Sequence, residues 1–486
     1  MTRLIVGPFN RVEGDLEVKL SIEDGAVREA HVVSPLYRGF ESILGGKPPS
    51  DALVYAPRIC GICSVSQSVA AAQALAEAEG SAPPPNGRLA VHLIHAAENV
   101  VDHLTHFYLF FMPDFAHPAY AREPWYEAAA ARFAAVNGNA TREMLPARAQ
   151  FLHLMGILAG KWPHTLGIRP GGSTRSVSAN ETVRLMGLLT GFRRFLQQTL
   201  FGASLEEIAA LGSMRELAAW ATSTTHISSD FRHFLHLSGA LGLNRLGRAT
   251  DRFMSYGAYP SSSGVEAPLF PSGVWTPDGT EEFDPAAITE DLSHAWYEPV
   301  SAPQSPFQSE TRPNHDQPDA YTWCKAPRLG GAVVEVGAIA RQAVDGQPLI
   351  RELIATAGSN VHARVVARLI EIARIVIAME GWVGAIEPGS VFSHHGNMPR
   401  DATGIGLTEA ARGSLGHWLR VEKGRIANYQ IIAPTTWNFS PRDAGGTPGA
   451  LEQALVGAPV HPGEAEPVAV QHIVRSFDPC LVCTVH

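Results

Sequence analysis

The chain has 486 residues, 45% hydrophobic and 17% charged, with a formal net charge of −9. That length leaves room for two to four domains and a substantial core, and the acidic balance argues against nucleic acid or an anionic membrane surface as the main partner. No apolar run reaches the roughly 18 residues of a membrane span, and Thr2-Arg3-Leu4 leads straight into alternating sequence with no signal-peptide pattern, so a cytoplasmic location is expected.

Residues 3–35 alternate like a hairpin around Glu23-Asp24-Gly25, with Leu16, Val18, Leu20 and Ile22 before the turn and Val27 to Val33 after it. Arg11-Val12-Glu13-Gly14-Asp15 lies inside this stretch, and Tyr37-Arg38-Gly39-Phe40-Glu41 just beyond it. Apolar spacing then predicts helices over 62–79, 88–112, 124–136, 142–159, 179–201, 205–222 and 229–241. The Pro-rich piece 81–87 is a connector, and 160–177, with Pro163-His164-Thr165 and Gly171-Gly172, reads as an ordered loop. From 250 to 350 the composition turns to Gly, Pro, Ser and aromatic residues, which predicts short strands and long loops. A long helix follows at 360–380, then a second hairpin from His417 to Ala433, a short helix near 448–456 and an extended tail. Without repeats or low-complexity segments, residues 1–486 read as one large helix-rich α/β unit.

Four of the five cysteines fall in two CxxC pairs, Cys60-Gly61-Ile62-Cys63 and Cys480-Leu481-Val482-Cys483, with most of the chain between them. A lone CxxC is usually a zinc site or a redox pair. Structural zinc draws its ligand pairs from nearby knuckles, whereas these pairs are remote, and a redox pair leaves the second CxxC unexplained. Four thiolates meeting in space also suit nickel or iron. Cys63 opens a helix whose N-terminal dipole favours a thiolate, and Arg58 and Arg412 are candidate positive neighbours. If buried, Glu13 and Glu41 need a metal, an arginine or a proton-transfer role. Taken singly, each reads as a solvated or structural carboxylate.

The ordered series RVEGD (11–15), RGFE (38–41), RICGIC (58–63), DHLTHFYLFFMPD (102–114), PHT (163–165), KAPR (325–328), GLTEAARGSLGHW (406–418), NYQ (428–430), APTTWN (433–438), PRD (441–443) and terminal DPCLVCTVH (478–486) resembles the large subunit of [NiFe] hydrogenases. The resemblance implies a helix-rich α/β (α+β) fold with a long central helix bundle and small peripheral sheets. It implies that Cys60 and Cys480 are terminal nickel ligands, and that Cys63 and Cys483 bridge nickel to an iron carrying carbonyl and cyanide. Arg412 and Thr435 would face that iron, Asp102 and Asp478 would hold the arginine, and Glu13 would take a proton from Cys480. Glu41, the carbonyl of Ile431 and His486 would bind magnesium. Heterolysis of H2 needs a Lewis-acidic metal and a base within reach, and Cys480 and Arg412 compete for the base role. Iron–sulfur relays are held by cysteines. Only Cys324 stands outside the pairs, and it reads as an inert core thiol, so the relay must sit on an iron–sulfur small subunit.

Three departures bear on the subtype. Gln67 stands where histidine is common, Asp15 follows RVEG where histidine is common, and Ile62 and Phe110 replace smaller residues along the gas route. Ordinary core packing is the plain reading of the last two. With the motif CGICSVSQS they resemble the regulatory, H2-sensing group, which implies a sensor histidine kinase partner and a dimer of heterodimers. An uptake hydrogenase is the nearer alternative. A non-catalytic respiratory-complex relative and a structural zinc protein are remote ones.

Overall fold

The computed structural model describes residues 2–223, 229–260 and 268–486. Its N-terminal alternation forms three antiparallel strands, Thr2–Val6, Glu17–Glu23 and Ala26–Val33, rather than a simple hairpin. Leu16, Val18 and Leu20 pack inward, while residues 7–16 leave the sheet and bring Glu13 alongside Cys480, with Asp15 exposed.

Helices Pro85–Thr105, Ala140–Ala159, Ala179–Phe195 and Val361–Gly384 form the central bundle. Val361–Gly384 is apolar nearly all round, as expected of a fully enclosed helix, with Leu369, Ile370, Ile372, Ala373, Ile375 and Val376 all inaccessible. Its three buried charges are paired: Arg364 Nε with Glu335 at 2.7 Å, Arg368 Nη1 with the Ser476 carbonyl at 2.6 Å, and Glu371 with Arg341 at 2.6 Å. Unpaired, each would carry a large desolvation cost.

The elements differ from sequence expectation in instructive places. The helix expected at 88–112 ends at Thr105 and widens into a π-turn at His106–Phe111, and the one expected at 179–201 does the same at Leu196–Phe201. The segment 205–222 splits into Leu205–Ala209 and Met214–Thr222 because Ser213 caps the second piece, accepting from Glu216 N at 3.2 Å. Two helices, Ala338–Asp345 and Pro348–Ala357, lie where strands and loops were expected, and the extended tail contains the helix Val468–Ser476. Part of the loop-rich expectation, at 261–267, lies outside the described residues.

The second hairpin gains a third strand, giving Ala402–Ala410, Gly413–Glu422 and Arg425–Ile432 in sequential antiparallel order. Its outer strand lies directly on the helix Ser64–Glu79. A Cβ at Gly404 or Gly406 would come within 2.0 Å of the Ala74 carbonyl oxygen or 1.9 Å of that of Ala70, so glycine is required for this approach. No described helix is long and apolar enough to cross a membrane.

Candidate metal centre

The CxxC pairs, 420 residues apart in sequence, meet in the interior: Cys60 Sγ lies 3.5 Å from Cys480 Sγ, and Cys63 Sγ 3.0 Å from Cys483 Sγ. Cys480 and Cys483 are also 3.0 Å apart. All four sulfurs lie within 4.8 Å of one another and all are buried. Among the described residues this is the one group of His, Cys, Asp and Glu with metal-holding geometry.

Backbone pairing brings the ends together. Glu13 N donates to the Pro479 carbonyl at 3.3 Å, and Leu481 N donates to the Glu13 carbonyl at 2.7 Å. Gly14 has φ +82°, and a Cβ there would lie 3.0 Å from Val482 N, so the loop after Glu13 can touch the second CxxC only as glycine. Arg38 then clamps both motifs. Its Nη1 donates to the carbonyls of Ile59 and, at 3.2 Å, Val482, the residues immediately before Cys60 and Cys483, and its Nη2 reaches the Arg58 carbonyl at 3.3 Å. Sequence reasoning passed over Arg38, although it lies in RGFE. Arg58, expected to lend positive charge, instead donates to the Val54 carbonyl at the surface.

The expected help of the helix dipole to Cys63 is also corrected. Cys63 occupies the N-cap position of Ser64–Glu79 without capping it, and the N–H groups of Val65 and Ser66 both donate to Glu98, at 2.8 Å each. Hydrogen bonds from Cys480, Cys483 and Cys60, together with burial, push the Cys63 thiol well above its usual range. Burial foremost does the same to Cys483 and raises Cys480, while hydrogen bonds from Cys480, Cys483 and Cys63 hold Cys60 well below. Four sulfurs this close cannot all be anionic unless a cation joins them. The donor set fits a soft, multivalent centre.

Arg412 sits at the turn between Ala402–Ala410 and Gly413–Glu422. Its guanidinium donates to Asp102 Oδ2 at 2.5 Å, Asp478 Oδ1 at 3.0 Å and the Asp478 carbonyl at 2.8 Å. Asp478 offers both groups because its backbone is left-handed, φ +57°, a region Asp tolerates better than most residues. Burial would lower the Arg412 pKa, but Asp102, Asp478 and the nearby sulfurs outweigh it and hold the guanidinium charged. Thr435 Oγ1 accepts from Cys480 N at 3.1 Å, which leaves its hydroxyl proton free to donate elsewhere. Glu13 is half-buried, and burial and the Cys60 sulfur raise its pKa against the opposing pull of Arg412 and Arg38.

The predicted magnesium ligands converge only in part. Glu41 Oε1 lies 3.2 Å from His486 Nε2 and accepts from Ile431 N, not its carbonyl, at 2.8 Å. His486 Nδ1 donates to the Cys483 carbonyl at 2.5 Å, so in the neutral ring Nε2 presents a lone pair to the carboxylate, an arrangement that suits a bridging cation. Lys325, 3.1 Å from Glu41 and 3.4 Å from Glu290, already supplies one positive charge. Gln67, four residues after Cys63, accepts from His417 Nε2 at 2.8 Å. Ile62 packs beside the cysteine cluster and Phe110 offers its carbonyl to Arg11 Nη1 at 2.7 Å; both side chains keep part of their surface exposed. Cys324 is a buried thiol raised by burial, donating to the Lys325 carbonyl at 3.2 Å.

The family model described as nickel-dependent hydrogenase matches residues 38–140 and 119–486. The chain is similar to the periplasmic [NiFeSe] hydrogenase large subunit of Desulfomicrobium baculatum, 30% identical over 100% of this chain and 95% of that one. It is also similar to the uptake hydrogenase large subunit of Azotobacter chroococcum mcd 1, 26% identical over 100% and 95% of the two chains. Among solved structures, the Ni-Fe-Se hydrogenase from D. vulgaris Hildenborough in the reduced state matches with a TM-score of 0.85 at 29% identity, covering 100% of both chains. The cytoplasmic expectation is overturned here: a relative aligned along this entire chain is periplasmic, and neither net charge nor the lack of a long apolar run fixes the compartment. A tetrad of buried sulfurs drawn from both termini, on a fold shared with hydrogenase large subunits, places this chain in the nickel-dependent hydrogenase family, as a large subunit of an oxidoreductase acting on H2.

Proposed function

We propose that this chain oxidises H2 by heterolytic cleavage in an uptake-type hydrogenase. The observation that carries this is the sulfur tetrad beside a guanidinium held charged by Asp102 and Asp478. Cys60 and Cys480 would serve as terminal ligands, with Cys63 and Cys483 shared between nickel and iron. When bound, a nickel–iron centre with carbonyl and cyanide on the iron supplies Lewis acidity and redox change. Because Arg412 is held charged, the Cys480 sulfur is the better base, and Glu13, whose backbone pairs with Cys480, takes the proton onward. Its raised pKa suits a group that both accepts and releases a proton. Arg412 and the Thr435 hydroxyl would donate toward ligands of the iron. Glu41 and His486 would hold a magnesium ion beside the second CxxC; Ile431 turns its N–H rather than its carbonyl to Glu41. With Cys324 the one cysteine left over, buried and outside the tetrad, electrons would leave through iron–sulfur clusters on the small subunit.

The test is elemental analysis, infrared spectroscopy and H2 oxidation on the heterodimer. Nickel, iron and carbonyl and cyanide stretches with turnover support the reading; zinc and a silent spectrum overturn it.

A second reading, H2 sensing through a histidine kinase in a dimer of heterodimers, is favoured by Gln67, Ile62 and Phe110. Low turnover together with stable kinase binding would select it over uptake.

A further inference from the structure

We propose that Glu98 is a positioning residue for Cys63: it caps, from a neighbouring helix, the helix that Cys63 begins, and so fixes where that sulfur sits against Cys483. The proposal rests on the reading of Cys63 as a ligand.

Helix Ser64–Glu79 needs acceptors for its first N–H groups. Its own N-cap residue is Cys63, whose side chain makes no capping bond and instead faces Cys483 at 3.0 Å. Glu98, on the helix Pro85–Thr105 and 1% exposed, takes over that task. Its Oε1 accepts from Ser66 N at 2.8 Å and Ser66 Oγ at 3.0 Å. Its Oε2 accepts from Val65 N at 2.8 Å, Ser64 Oγ at 3.3 Å and the Trp162 indole at 3.0 Å. Ser64 Oγ in turn accepts from His164 N at 3.2 Å.

One carboxylate therefore ties three separate segments, the central bundle, the first CxxC and the 160–165 loop, within a few bonds of a ligand sulfur. With Glu98 occupying the first-turn N–H groups, the Cys63 side chain is left out of the capping and directed at Cys483. An amide cannot reproduce the pattern. Glutamine's single oxygen serves one side, and its NH2 group confronts the donors on the other.

The experiment compares heterodimers carrying wild-type, Glu98→Gln and Glu452→Gln large subunits. Glu452 is a buried carboxylate that likewise accepts a backbone N–H, from Val32 at 3.0 Å, and its partners Val32 and Tyr321 belong to neither CxxC motif. Glu98→Gln is expected to retain nickel and iron, shift the carbonyl and cyanide stretching bands, and lose about tenfold in H2 oxidation. Glu452→Gln should leave the bands in place. Unshifted bands in Glu98→Gln, or the same shift in both variants, overturn the proposal. If Glu98→Gln does not fold, Trp162→Phe and Ser66→Ala each remove donors singly; a smaller band shift in either supports it, and unchanged bands in both overturn it. A wild-type heterodimer without nickel or diatomic bands sinks the nickel–iron reading itself, a separate result.

Discussion

The Gln67 amide oxygen accepts from His417 Nε2 at 2.8 Å, while Tyr429 OH holds the other ring nitrogen at 2.8 Å. Burial keeps His417 neutral, its pKa lowered to about 3, so its single proton is committed to Gln67. The amide orientation follows, and the Gln67 nitrogen is left as a buried donor without a partner among the described residues. Gln67 stands one helical turn beyond Cys63, where a side chain leans back toward the helix start. That lean turns the amide toward the cysteine end of the helix, where no acceptor among the described residues lies within hydrogen-bonding distance of its nitrogen. His417→Phe should free the amide to flip and lower H2 oxidation roughly tenfold or more with nickel retained; kinetics alongside metal content would show it, and unchanged turnover would remove His417 from this role.

Arg38 makes the same kind of link across the two CxxC motifs. Arg38→Met removes donors to the carbonyls of Ile59 and Val482, and should destabilise the chain by about 2–3 kcal/mol and reduce nickel loading. Arg38→Lys should recover little, since an ammonium cannot span both carbonyls as a fork does. Urea unfolding with nickel analysis measures both, and full loading in Arg38→Met would refute the clamp.

Arg412→Lys keeps a positive charge but gives up the three-point hold by Asp102 and Asp478. A fall of roughly 100-fold in H2 oxidation is expected, with nickel content near wild type. A variant that turns over normally would exclude electrostatic positioning by the guanidinium.

Stability should fall on mild acidification. His92, His95 and His106 are each held to about 3, by burial first, and by Arg88, His92 and Arg368 respectively. The unfolded chain takes up protons there below about pH 6.5 and the native chain does not. Their contribution is therefore complete above that pH and shrinks as pH drops, by roughly 2 kcal/mol per histidine between pH 7 and 5. Urea midpoints at the two pH values test this; a flat profile would contradict it.

Replacing Ile62 with Val and Phe110 with Leu together should make H2 oxidation sensitive to oxygen, if these side chains narrow the gas route. Activity assayed under air and under nitrogen gives the answer, and equal loss in wild type and variant would dismiss the idea. The packing of Ile62 against the cysteine cluster makes it the stronger contributor.

Local signals in the chain were sufficient for the long helices, for the first sheet and the hairpin Gly413–Ile432 in outline and for every cysteine that meets at the centre. They fell short where a partner distant in sequence sets the conformation. The strand Ala402–Ala410 exists because Gly404 and Gly406 let it lie on the CxxC helix, and a glycine-broken pattern hides that. Glu98 shares a helix face with Asp102, four residues on, and that spacing of two acids on a helix rich in buried positions was the available hint of its role. His417 gave none, because its bond to Gln67 joins residues 350 positions apart.

The sequence by itself, through its two cysteine pairs and the motifs that resemble a family, named the atoms proposed to carry the chemistry: thiols in pairs, an arginine and a few acids. Their convergence, and hence their charge states, was decided by packing alone. A thiol, carboxyl or guanidinium answers to what lies within a few ångströms, and for Cys63, Glu98 and Arg412 those neighbours come from segments that only the folded chain brings together.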